Sequence, residues 1–188
     1  MAAGTDGNLI SYDTSGNPVA VATGSDGQVL TSAGAGAVPA FEAAGANTPA
    51  FSAYLNADQA IANNTETKVT LNAELLDTDS AFASNKFTVA SGKAGNYLFS
   101  FGVALSGVTT ARFKAILKVN NTGLIVIENN SSAGNTYATA AGSGVVVLAE
   151  TNYVELFAWQ NSGASKNIWG TGGSVNKMST YLTGYKLI

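Results

Sequence analysis

Gly92-Lys93-Ala94-Gly95-Asn96-Tyr97-Leu98-Phe99-Ser100-Phe101-Gly102-Val103-Ala104-Leu105 is the stretch that decides the fold of this chain. It opens on a Gly-rich turn and runs on for ten residues without proline or charge. Side chains alternate between the two faces of a strand. One face here carries Tyr97, Phe99, Phe101 and Val103; the other carries Leu98, Ser100, Gly102 and Ala104. A strand covered on one side alternates apolar with polar residues, and one covered on both sides does not. This segment therefore reads as a strand buried on both faces.

The same reading extends along residues 51–188. Strand-like runs recur at Phe51–Leu55, Lys68–Leu71, Lys86–Val89, Phe113–Val119, Leu124–Glu128, Gly144–Leu148, Tyr153–Gln160 and Thr180–Ile188. Clusters of Gly, Asn, Ser and Asp separate them, as in Asn129-Asn130-Ser131-Ser132-Ala133-Gly134. Only Ala57–Ala62 hints at a helical period, over too short a span to matter. Eight or nine short strands at this spacing imply an all-β chain folded as a jelly-roll β-sandwich.

Two further strands are apolar on both faces. Tyr153–Gln160 sets Val154, Leu156 and Ala158 against Tyr153, Phe157 and Trp159, the latter beside Glu155. The last strand sets Tyr181, Thr183, Tyr185 and Leu187 against Leu182, Gly184, Lys186 and Ile188. One set fills the sandwich core, and the other, rich in aromatic residues, leaves an apolar patch of a size that soluble monomers avoid. Symmetry mates would bury it, so a homo-oligomer is expected. The alternative is that a loop or the N-terminal segment covers the patch within one chain.

Composition narrows the function. The 188 residues include no His and no Cys, which removes disulfides, thiol chemistry, the usual zinc sites and any Ser-His or Cys-His nucleophile pair. Charged residues make up 11% of the chain and the net charge is −3, so no basic nucleic-acid footprint exists. The start lacks the basic and apolar regions of a signal peptide. The longest aliphatic run, Val145 to Ala149, is far short of the roughly 20 residues of a membrane helix. No enzymatic activity, cofactor, nucleic acid or membrane partner is expected.

Residues 1–49 follow different physics from residues 50–188, and the boundary is set near Pro49. All nine basic residues lie in the body; the first part carries only the acids Asp6, Asp13, Asp26 and Glu42. It also repeats. Gly4-Thr5-Asp6-Gly7-Asn8-Leu9-Ile10 recurs as Gly24-Ser25-Asp26-Gly27-Gln28-Val29-Leu30, and each copy later reaches a proline, Pro18 or Pro39. Asp-Gly is a turn signal because Gly supplies the positive φ that other residues resist. Each repeat thus reads as a turn, a short strand, a Gly-rich turn and an extended segment. A unit so small has no core and must lie against trimer mates or a larger surface. Leu9, Ile10, Val29, Leu30 and Phe41 are the expected anchoring residues of this extended arm.

Three blocks of the body carry a family resemblance. They are Phe51-Ser52-Ala53-Tyr54, then Phe87-Thr88-Val89 leading into Gly92 to Phe101, and finally Ser179-Thr180-Tyr181-Leu182-Thr183-Gly184-Tyr185-Lys186-Leu187. Together they resemble the complement component one q globular head, a tumour-necrosis-factor-like jelly roll. The resemblance implies a compact trimer with inner-sheet aromatic residues along the threefold axis. By position these would be Tyr97, Phe157, Trp159, Tyr181 and Tyr185. Thr151-Asn152 stands where that family often has Gly-Asp, so its calcium habit is not carried over. In the arm, Gly27 to Phe41 is similar to a repeat of phage tail-fibre and other virion proteins. No Gly-X-Y collagen period is present.

The combination implies a virion protein made in a bacterial cytoplasm. Two roles are open. One is a trimeric capsid decoration (cement or head-fibre) protein whose arm pairs with the major capsid protein. The other is a tail-fibre or receptor-binding tip that contacts a host glycan or protein. For that role Trp169, in a Gly-rich loop, and Tyr137, after Asn135-Thr136, are the surface-recognition candidates, because aromatic side chains stack on sugars. Either side chain could equally close one end of the barrel. Asp77-Thr78-Asp79 could supply oxygen ligands to a hard cation, or be a solvated turn. Arg112, Lys114 and Lys118 share one strand face and suit either an anionic partner or a solvated sheet.

Overall fold

The computed structural model describes residues 5–106, 111–131, 137–171 and 178–188. The chain divides into two units, Met1–Ala46 and Asn47–Ile188. Asn47-Thr48-Pro49 goes with the second unit, where the Lys186 amide donates to the Pro49 carbonyl at 3.0 Å. Every regular element among the described residues is a β-strand.

The first unit is two antiparallel hairpins. Strand β1 (Leu9–Tyr12) pairs with β2 (Pro18–Val21), and β3 (Gln28–Thr31) pairs with β4 (Ala40–Ala43). The sequence repeat is a repeat of geometry. Asn8 donates to the Thr5 carbonyl at 3.1 Å and Gln28 to the Ser25 carbonyl at 3.1 Å, with Gly7 and Gly27 at φ +84° and +81°. Gly4 of the first copy lies outside the described residues. The first hairpin turns on Asp13, whose carboxylate accepts the Ser15 and Asn17 amides at 2.8 Å each. Those bonds hold the carboxyl below the usual carboxylate range, that from Asn17 contributing most. Phe41 lies across Gly24, where a methyl group would sit 2.6 Å from its ring.

The second unit is a two-layer sandwich. One sheet contains β9 (Phe82–Ala83), β10 (Lys86–Thr88), β15 (Tyr153–Gln160), β12 (Ala111–Val119) and β13 (Thr122–Ser131), with β7 (Thr67–Lys68) also on β15. The other centres on β11 (Gly95–Ser106), flanked by β14 (Tyr137–Leu148) on one side and β17 (Tyr181–Lys186) on the other. Beyond β17 come β5 (Ala50–Tyr54) and β8 (Ala73–Asp77), while β16 (Lys166–Ile168) joins β11 to β6 (Gln59–Ile61). These are a six-stranded and a seven-stranded sheet.

Aromatic rings hold the layers together. Phe51 of β5 stacks on Phe87 of β10 across the sandwich at 4.9 Å and on Phe82 at 5.1 Å. Tyr97 and Phe99 complete the cluster at 5.4 and 5.9 Å from Phe87. All five residues are buried. Tyr97 satisfies its hydroxyl by donating to the Lys93 carbonyl at 2.6 Å. Gln160, also fully buried, donates to the Ala164 carbonyl at 2.9 Å and accepts from the Ser162 amide at 2.6 Å. Buried polar groups left without such partners would be costly.

At one end of each sheet, β13 closes over β14 through two glycines. A methyl group on Gly144 would lie 2.5 Å from Ile125 Cδ1, and one on Gly142 would lie 2.7 Å from Ile127 Cγ1. Gly144→Val therefore overfills this edge and should destabilise the head by about 1–3 kcal/mol. Thermal unfolding checks this, and an unchanged midpoint would show that Ile125 has room elsewhere.

Several strands begin where the sequence does not announce them. Strand β14 starts at Tyr137 rather than Gly144, because twelve residues of β11 impose pairing on the Ala-rich run before Gly142. Gln59–Ile61 is a strand, not a helical turn, fixed by its partner β16. Ala73–Asp77 carries helix formers yet forms an edge strand, with a register shift opposite Ser52 and Ala53.

Candidate functional site

The five aromatic residues expected on one axis separate into three places. Tyr97 points into the core and is fully buried within one protomer, so it leaves the interface set. Its alternation was read correctly, but the aromatic face of β11 is the inner one. Tyr181 and Tyr185 lie half-buried on the outer face of the seven-stranded sheet. Phe157 and Trp159 lie half-buried on the outer face of the six-stranded sheet, on the far side of the core. One threefold axis cannot run against both faces at once.

Among the described residues, the outer face of the seven-stranded sheet is open, with apolar side chains on either side of a row of hydroxyls from Ser52, Thr183, Ser100 and Ser143. Register places Leu98, Ser100 and Gly102 of β11 beside Tyr185, Thr183 and Tyr181 of β17. On the other flank the same three residues meet Val145, Ser143 and Ala141 of β14. Gly102 lets the Tyr181 ring lie flat, since a methyl there would be 2.9 Å from Cε1. Val145 is 60% and Val147 78% exposed, and Leu76 at the β8 edge is exposed as well. No lysine or arginine of β11, β14 or β5 interrupts this face. Sequence reasoning missed Leu98, Val145 and Val147. Only the pairing of β14 with β11 puts them together.

The other face is capped rather than bare. Lys118 Nζ sits 4.1 Å from the Phe157 ring centre, Lys114 Nζ 5.0 Å from Trp159 and Lys86 Nζ 4.9 Å from Tyr153. Such contacts contribute about 0.5–1 kcal/mol each at exposed sites and cover the rings with charge. Most cations of this face also meet carboxylates. Arg112 holds Glu128 through two bonds of 2.7 and 2.8 Å, Lys118 meets Glu66 at 2.7 Å and Lys68 meets Glu155 at 2.6 Å. The Arg112 guanidinium holds the Glu128 carboxyl below the usual carboxylate range. Arg112, Lys114 and Lys118 do share this face, and Glu128 and Glu66 offset part of their charge.

Asp77 ends β8, and Asp79 lies in the bend that follows it. Asp77 accepts the Ala81 and Phe82 amides at 3.0 and 2.9 Å. Asp79 accepts the Thr78 hydroxyl at 2.7 Å and pairs with Lys93 at 3.2 Å, and these two contacts lower its pKa in that order. Their lone pairs are engaged within the chain. Among the described residues, no group of three His, Cys, Asp or Glu is placed to hold a metal ion.

Trp169 and Tyr137 flank one end of β11. Ile168 pairs with Leu105, and the Trp169 amide donates to the Ala104 carbonyl at 2.8 Å. Tyr137 is the first residue of β14, opposite Ser106, rather than part of a loop. Its side chain, like Asn135-Thr136 and Gly172-Gly173, lies outside the described residues. Gly170 packs where any Cβ would fall on the Ala57 backbone, and its amide donates to Asp58 Oδ1 at 3.0 Å. Trp169 is 36% exposed. The chain enters the head at Ala50, whose partner Tyr185 pairs with Leu98. Entry and Trp169 are thus near opposite ends of β11, roughly 20 Å apart at about 3.3 Å per strand residue.

In the first unit, Leu9, Ile10, Val29 and Leu30 are all exposed, Ile10 to 61%, and Phe41 is half-buried. Among its described apolar side chains only Val21 is buried.

No family model and no curated protein matches this chain. Solved structures do. The globular domain of zebrafish complement 1qA protein aligns with a TM-score of 0.51 and 19% identity, over 75% of this chain and 98% of that one. Murine APRIL aligns at 0.52 and 14%, over 73% and 98%. The PRD1 vertex protein P5 aligns at 0.51 and 19%, over 77% and 100%. These likenesses concern the fold: the sandwich is a jelly roll of the C1q and tumour-necrosis-factor type.

Proposed function

We propose that the chain is a homotrimeric structural protein of a phage virion, a capsid decoration protein attached through its N-terminal arm. The observation that carries this reading is the open sheet face that carries Leu98, Tyr181, Tyr185, Val145 and Val147, on a fold shared with a phage vertex protein. A patch rimmed by polar residues marks an interface. Its parts differ: exposed valines on the edge strand β14, tyrosines on β17 in the middle of the sheet. A contact between unlike patches is head-to-tail, and such contacts form a ring when the rotation closes and an open filament when it does not. A ring of three brings one edge of each protomer onto the sheet face of the next.

The arm carries the attachment. Its hairpins expose unpaired strand edges and the apolar side chains Leu9, Ile10, Val29 and Leu30, with Phe41 beside them. Strands of the major capsid protein added to those edges would satisfy the backbone and supply the missing core. Three arms per trimer multiply the hold, because the second and third dock at high effective concentration. Bridging neighbouring capsomers in this way strengthens the head.

Removing residues 1–45 is expected to leave a folded trimer that no longer joins the particle. Occupancy on purified virions measures this. Normal occupancy of the truncated chain would remove the arm from the attachment.

The exposed Trp169 favours a second reading, a receptor-binding tip. It lies at the end of the head away from the chain's entry, where a host glycan would be met. Under that reading Trp169→Ala lowers adsorption to the host without changing virion assembly.

A further inference from the structure

We propose that the second arm hairpin, β3–β4, packs against the same hairpin of its two symmetry mates, forming a three-chain collar. This deepens the trimer reading and rests on it.

The hairpin has two unlike faces. Register puts Leu30 opposite Phe41 and Gln28 opposite Ala43 on one face. Val29 opposite Glu42 and Thr31 opposite Ala40 make up the other. The first is free of charge; the second carries the carboxylate. Phe41 is half-covered by crossing Gly24, but Leu30 beside it stays exposed. A cleft of about 290 Å³ opens next to them, lined by Ala20, Val21, Val38, Pro39 and Phe41 among others. An isolated two-stranded hairpin is marginal in water, and among the described residues this unit buries one apolar side chain of its own. It needs a partner to persist.

The nearest partner is a second copy. Only Ala44, Gly45 and Ala46 separate β4 from the head unit. Three residues span about 10 Å at most, so a head trimer holds three copies of this hairpin within reach of one another. Tethers this short give effective concentrations on the order of millimolar. The charge pattern selects the face. Turning Leu30 and Phe41 inward leaves three Glu42 side chains in solvent, whereas the reverse would gather them on the axis. The collar thereby takes Leu30 and Phe41 out of the anchoring set proposed above and leaves Leu9, Ile10 and Val29 for attachment to the particle.

The chain has no cysteine, so a single introduced thiol reports cleanly. Leu30→Cys in the full chain, under mild oxidation at low protein concentration, is expected to give disulfide-linked dimers, at most two of the three chains in each trimer. Thr31→Cys, on the opposite face, is expected to stay unlinked. Light scattering under native conditions is run on both. A trimer whose Leu30→Cys chains remain single, or whose Thr31→Cys chains link equally fast, overturns the collar while leaving the head trimer intact. A monomeric mass overturns the trimer itself, and the collar with it.

Discussion

Tyr181→Asp, or Tyr185→Asp, is expected to convert the trimer into folded monomers. Both side chains stand on the outer face of the seven-stranded sheet, next to Gly102 and Leu98. Neither belongs to the core cluster, so a protomer can fold without them. In the assembly, the introduced carboxylate would be buried against apolar neighbours with no cation on β11, β14 or β5 to meet it. An unpaired buried charge costs about 3–5 kcal/mol, and it would occur at each of three contacts. The variant should therefore show the mass of one chain by light scattering and an unchanged far-ultraviolet spectrum. Trp159→Asp is the contrasting control. That residue lies on the opposite sheet beneath Lys114, and its substitution should leave the mass unchanged. If the tyrosine variants stay trimeric and the tryptophan variant dissociates, the interface lies on the six-stranded sheet instead.

Phe87→Ala acts on the fold itself. The ring is fully buried, stacks on Phe51 and meets Tyr97 and Phe99 from the facing sheet. Deleting a buried phenylalanine side chain costs about 3–5 kcal/mol, the transfer term plus the cavity left behind. Domains of this size have roughly 5–15 kcal/mol in total. The head should lose about a fifth of its stability or more and shift its urea midpoint accordingly. Phe87→Leu refills much of the space and should cost clearly less. Equal midpoints for wild type and Phe87→Ala would mean that this cluster does not join the two sheets.

The fold was legible because its strands obey a simple period. Tyr153–Gln160 appears in the structure with the bounds its pattern gives, and its inner residues Val154, Leu156 and Ala158 are all buried. The direction of each face was not legible. Alternation separates Tyr97, Phe99 and Phe101 from Leu98, Ser100 and Gly102, but nothing local says which set looks inward. That depends on the sheet opposite. Nor does alternation tell that β15 and β17 belong to different layers, which is why Phe157 and Trp159 were grouped with Tyr181 and Tyr185. The strands missed outright, β6, β8, β9 and β16, are short or made of helix formers and owe their form to their neighbours. In the arm, Asp-Gly fixed the turns, since only a residue tolerant of positive φ fits Gly7 and Gly27.

Cryo-electron microscopy of intact particles, with the copy number of this protein per virion, tests the proposed role most directly. Trimers distributed over the head lattice, each joined to the major capsid protein through residues of the N-terminal arm, are the expected result. A few copies confined to the tail would contradict decoration and turn attention to Trp169 as a receptor contact.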